Sequence, residues 1–90
     1  MSTANRRPTH PGEMLLGEFL KPMPMTQVDA ADRMGISLNR LNELIRGKRG
    51  VTADTALRLA ELLKTSPEFW MNLQVAWDLY HAKQAVAAAG

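Results

Sequence analysis

The sequence predicts an all-α domain of five helices with no sheet. Three observations predict it. Apolar residues recur at i, i+3, i+4 spacing, Ser or Thr stands just before four of these runs (Thr26, Ser37, Thr52, Ser66), and no stretch alternates apolar and polar residues as a half-buried strand does.

Residues 1–9 are polar, contain Pro8 and show no periodicity, so they are read as a flexible N-terminal arm. The first helix opens at His10-Pro11-Gly12-Glu13, with Pro11 in the first turn, where a missing N–H is no loss. Leu15, Leu16, Phe19 and Leu20 form its apolar face, and Lys21-Pro22-Met23-Pro24 stops it. Thr26 caps the second helix, Asp29 completes a near capping box, and Val28, Ala31 and Met34 form its expected buried side. Gly35 ends it as the residue best able to turn left-handed. Ser37 caps a third helix carrying Leu38, Leu41, Leu44 and Ile45, and Gly47 and Gly50 bracket a basic loop, Lys48-Arg49. Thr52 caps a fourth helix with Ala56, Leu59, Ala60 and Leu63 on one stripe. Ser66-Pro67 opens the fifth, 67–83, and the Ala-rich residues 84–90 are expected to fray. Residues 10–83 thus form one domain.

Ninety residues, 46% of them hydrophobic, suffice for one compact core. So small a domain buries a modest share of its surface, which leaves room for a partner subunit. The absence of cysteine excludes disulfides, thiolate metal sites and thiol redox chemistry. No stretch approaches the ~20 apolar residues of a membrane span, and the N-terminus lacks the apolar core of a secretion signal. A cytoplasmic protein without membrane contact is expected. His10 and His81 are the only histidines, and no HExxH, Gly-rich phosphate loop or Ser/His/Asp grouping is present. No catalytic residue, metal or cofactor is therefore expected.

The net charge of +2 is unevenly placed. Residues 1–50 hold eight Lys/Arg against five Asp/Glu, whereas residues 51–90 hold three against four. Between Arg33 and Arg49 stand five basic residues and a single acid, Glu43. A basic stripe on a nearly neutral domain points to a directed contact with a polyanion.

The second and third helices explain which polyanion. A helix-turn-helix needs a small residue where its helices cross, a glycine in the turn, and apolar residues seating the second helix. With Gly35 as the turn, Ala31 precedes it by four residues, and Leu41 and Leu44 follow by six and nine. The opposite side of helix 37–46 is then polar, with side chains of the types that reach base edges, Arg for guanine and Asn for adenine. The reading helix enters the major groove N-terminus first, which favours Ser37, Asn39, Arg40 and Glu43 as base readers. Glu43 can accept from a cytosine amino group or orient Arg40 or Arg46. Phosphate contacts are expected from Gln27 at the start of helix 2, from Arg46, Lys48 and Arg49 after the reading helix, and from Thr52. A plain helical bundle in which Gly35 is only a C-cap would leave the polar, basic face of helix 3 unexplained.

Four of the five aromatics, Phe69, Trp70, Trp77 and Tyr80, crowd the fifth helix with Leu73. Core packing accounts for some of them, and the remainder suggest a homodimer seam. Two reading helices ~34 Å apart suit a palindromic operator in double-stranded DNA.

His10-Pro11-Gly12-Glu13, the helix-turn-helix 26–46 and, above all, Ser66-Pro67-Glu68-Phe69-Trp70-Met71-Asn72-Leu73-Gln74 resemble the HigA family of antitoxins. Its members are also called virulence-associated protein I or plasmid-maintenance antidotes. The resemblance spans residues 8 to 83 and implies an XRE-type, lambda-repressor-like domain that dimerises through its C-terminal region and represses its own operon. It also implies a protein partner, a HigB-type mRNA-cleaving toxin neutralised by binding. No long charged tail of the kind that folds around a partner is present, so a toxin would meet the globular surface or the arm. The alternative is a stand-alone XRE-type transcriptional regulator without a toxin.

Overall fold

A computed structural model describes residues 6–90. Five helices follow one another, with no strand among the described residues. Helix α1 comprises an α-helical turn, Pro11–Met14, and a π-helical continuation, Leu15–Leu20; then come α2 (Gln27–Met34), α3 (Leu38–Ile45), α4 (Ala53–Leu63) and α5 (Pro67–Ala89). The wide turn of α1 is closed by i→i+5 bonds, such as Lys21 N–H to Leu16 O at 3.0 Å, and brings Leu15 and Leu20 together into the core.

The four anticipated Ser/Thr caps are present, though at Thr26 the return bond from the Asp29 side chain expected of a capping box is not formed. The hydroxyls of Thr26, Ser37, Thr52 and Ser66 accept from the N–H groups of Asp29, Arg40, Thr55 and Phe69 at 3.0–3.4 Å. At α1 the cap is His10, whose Nδ1 accepts from Gly12 N–H at 3.0 Å while Glu13 accepts from His10 N–H at 3.2 Å. This capping box uses an imidazole where a hydroxyl usually stands. Gly35 takes φ 71°, ψ 31° and turns the chain from α2 into α3.

The core gathers one side of every helix: Leu15 and Leu20 of α1, Ala31 and Met34 of α2, Leu41 and Leu44 of α3, Leu59 of α4 and Trp70 of α5. Trp70 is 0% exposed, and its indole N–H donates to Thr65 Oγ1 at 2.8 Å, so the one polar atom of this large side chain is satisfied. Its ring packs against Phe19 and Phe69, with centroids 5.3 and 5.0 Å away.

Several expectations are corrected here. Val28, expected in the core, is 60% exposed, and Leu38 is 46% exposed. Both stand in the first turn of their helices, ahead of the stripe that meets the core. Trp70 has no surface left for a partner and belongs to the core, not to a dimer seam. Residues 84–89, expected to fray, continue α5 to Ala89, consistent with alanine having the highest helix propensity. Of the arm, residues 1–5 lie outside the described residues. Arg7 pairs with Glu13 at 3.0 Å and lies 5.2 Å from the Trp77 ring centroid, so this part of the segment rests on α1 and α5. No helix among the described residues is long and apolar enough to cross a membrane.

Candidate nucleic-acid interface

Helix α3 is seated by Leu41 and Leu44, both essentially unexposed, and its other side faces outward. It is held from three directions. Gly12 of α1 lies on its C-terminal backbone, where a Cβ would overlap the Leu44 carbonyl oxygen and sit 2.8 Å from Ile45 Cα. Asn42 Nδ2 donates to Gln27 Oε1 of α2 at 3.4 Å. Arg40 reaches α4, donating to Asp54 Oδ2 at 2.8 Å and to the buried Thr55 hydroxyl at 2.7 Å.

The expected base readers therefore have unequal freedom. Asn39 is exposed at the front of α3. Ser37 is exposed, but its hydroxyl already accepts from Arg40 N–H, leaving its own proton to donate. Glu43 accepts from Arg49 Nε and Nη2 at 3.2 and 2.8 Å, so its partner is Arg49 and neither Arg40 nor Arg46. Arg40, expected to face bases, is turned toward α4 by Asp54 and Thr55. The Asp54 carboxyl is held below the usual range by its bonds from Arg40, and then from Arg58. Arg58 also donates to Met34 O at 2.7 Å, which ties the end of α2 to α4 beside the Gly35 turn.

Of the expected phosphate contacts, Arg46, Lys48 and Thr52 are exposed around the C-terminal end of α3, Arg49 is shared with Glu43, and Gln27 is half-buried beside Asn42. The loop bearing Lys48 and Arg49 is anchored from α5, where Gln74 Oε1 accepts from Val51 N–H at 2.7 Å. The side-chain amide of Gln74 also fills the space next to Gly50, where a Cβ would lie 2.8 Å from Gln74 Oε1.

Sequence reasoning missed three residues of this face: Val28, Leu38 and, as a candidate reader, Asn42. With Thr26, Gln27 and Asn39 they line a groove of about 420 Å³ between the starts of α2 and α3. The available signal was position, because first-turn residues of two helices that cross at a glycine turn share one front.

On α5, Phe69, Leu73, Trp77 and Tyr80 differ in accessibility. Phe69 is 36% exposed, whereas Leu73, Trp77 and Tyr80 are half-buried. Trp77 packs edge-on against His10, centroids 4.8 Å apart, and against His81 at 4.5 Å. Val75 and Leu79 point outward, both about half exposed. No cluster of His, Cys, Asp or Glu able to hold a metal is present among the described residues.

The helix-turn-helix family model matches residues 16–70. The chain is similar to antitoxin HigA-1 of Vibrio cholerae serotype O1, 45% identical over 84 residues that cover 92% of this chain and 78% of that protein. Among solved structures, it is similar to Pseudomonas aeruginosa antitoxin HigA with the higBA promoter: 38% identity, a TM-score of 0.87, and coverage of 92% of this chain and 90% of that one. It is also similar to antitoxin GraA in complex with its operator: 47% identity, a TM-score of 0.81, and coverage of 87% of this chain and 79% of that one.

Proposed function

The chain belongs to the HigA family of helix-turn-helix proteins, and from that premise we propose that it is a DNA-binding antitoxin that represses its own operon and neutralises an mRNA-cleaving toxin of the HigB type. The observation that carries the DNA part is α3 itself: an apolar back locked into the core, an outward front of Ser37, Asn39, Asn42 and Glu43, and exposed cations at its end. The operator complexes of its relatives support the same reading. Ser37, Asn39 and Glu43 contact base edges, joined by Asn42, and Gln27, Arg46, Lys48, Arg49 and Thr52 hold phosphate.

The protein acts as a homodimer paired through α5, on side chains the fold leaves accessible: Phe69, Leu73, Trp77 and Tyr80, together with Val75 and Leu79. Pairing sets two α3 helices one DNA turn apart, ~34 Å, on a palindromic site. Toxin binding is supported by the family alone.

Co-expression with the protein encoded by the adjacent reading frame, followed by purification and a mobility-shift assay on the operon promoter, tests both halves. A specific shift together with a co-purifying, growth-arresting partner is the expected result. A specific shift without such a partner overturns the antitoxin half, and no shift on any promoter fragment overturns the DNA half.

A further inference from the structure

Val28 and Leu38 are the two aliphatic side chains at the front of the helix-turn-helix, 60% and 46% exposed, while Leu41 and Leu44 of the same α3 are buried. They share one groove with Thr26, Gln27, Asn39 and Asn42. An isolated exposed aliphatic on a protein surface is ordinary. Two that line one groove flanked by carboxamides, on the face proposed to enter the major groove, form a defined chemical surface.

That surface matches one edge of one base pair. In the major groove thymine presents an O4 acceptor and a C5-methyl group, and its partner adenine presents N7 and N6–H₂, which a carboxamide can bind as a pair. An apolar patch bordered by the exposed Asn39, with Asn42 and Gln27 bonded to each other beside it, offers a methyl-binding surface and a carboxamide for hydrogen bonding side by side. Guanine and cytosine carry no group for the patch, and they would set polar edges against it without partners. Resting on the DNA-binding reading above, we propose that Val28 and Leu38 form a receptor for the C5-methyl of an operator thymine, so that an A·T pair is recognised by its methyl group as well as by hydrogen bonds. The occupant is a base edge rather than a peptide because the patch is continuous with the polar front of α3.

The test begins with duplexes selected by the intact protein from a randomised library. Each thymine of the selected site is then replaced in turn by deoxyuridine, which keeps the pairing and removes only the methyl. For the wild-type protein, at least one replacement in each half-site weakens binding about fourfold, as expected for the loss of one buried methyl contact. The Val28→Ala/Leu38→Ala double variant, altered only at exposed positions, still binds but no longer distinguishes thymine from deoxyuridine at that position. Leu57→Ala, an equally exposed aliphatic change on α4, keeps the full discrimination. A scan in which no replacement changes wild-type affinity overturns the receptor, as does undiminished discrimination by the double variant. Recovery of no duplex at all overturns the DNA-binding reading itself.

Discussion

Gly12 and Leu44 meet backbone to backbone: a Cβ on Gly12 would overlap the Leu44 carbonyl oxygen. The first turn of α1 is thus in direct contact with the last turn of α3, and the depth at which α3 sits is set by the absence of a side chain at residue 12. Neither backbone can yield as a flexible side chain would. Gly12→Ala is therefore expected to destabilise the domain by about 3 kcal/mol, at the upper end of overpacking effects. Denaturant titration checks this, and a loss below about 0.5 kcal/mol would show that the two helices can part freely.

Arg40 is bound to α4 by Asp54 and Thr55 rather than presented to solvent. Arg40→Ala leaves the buried Thr55 hydroxyl with only the 3.3 Å contact to Thr52 and should reduce stability by about 1 kcal/mol. Its effect on DNA should be a similar weakening for every duplex tested. Affinities across a panel of single-base operator variants measure this. Loss of preference at one base pair alone would return Arg40 to the readers.

Lys48 is exposed in the loop that Gln74 anchors. Lys48→Ala should weaken binding to all sequences alike and reduce the slope of log K against log salt by about one. The slope is read from titrations at several salt concentrations, and an unaltered slope removes Lys48 from the phosphate contacts.

His10 is 3% exposed, and burial lowers its pKa below the usual 6.5. Its Nδ1 must also stay unprotonated to accept from Gly12. The unfolded chain therefore binds this proton more readily than the folded one. Stability is complete above about pH 6.5 and declines as pH falls through the lowered folded value, by at most ~1.4 kcal/mol per pH unit. His10→Asn keeps a side-chain acceptor at the cap without a titrating group, so it should flatten the stability profile between pH 6.5 and 5. A profile identical to the wild type would assign the acid sensitivity to other groups. The neighbouring Glu13 carboxyl, lowered mainly by its hydrogen bond from Arg7, titrates below that window.

Helix order, the four Ser/Thr caps, the Gly35 turn and the burial of Leu41 and Leu44 are all legible in the sequence, because each follows from local geometry: a hydroxyl that satisfies a free N–H, a glycine that accepts positive φ, a repeat of 3.6 residues. The run from Ser66 to Gln74 is also recognisable without coordinates, and its physical content proves to be Trp70 in the core and Gln74 holding the basic loop. What only the tertiary structure decided depends on neighbours far apart in the chain. Val28 and Leu38 fit a buried helical pattern but stand one turn ahead of the core, so they line the front groove instead. Arg40 lies on the polar side of α3, yet α4, 14 residues away, supplies the carboxylate that claims it. Among the five expected seam residues on α5, only packing against Phe19 and Thr65 could assign Trp70 to the interior, while Phe69 stays exposed and Leu73, Trp77 and Tyr80 half-buried. Periodicity shows which side of a helix is apolar; where that side ends, and which polar group is already bound, is settled by what packs against it.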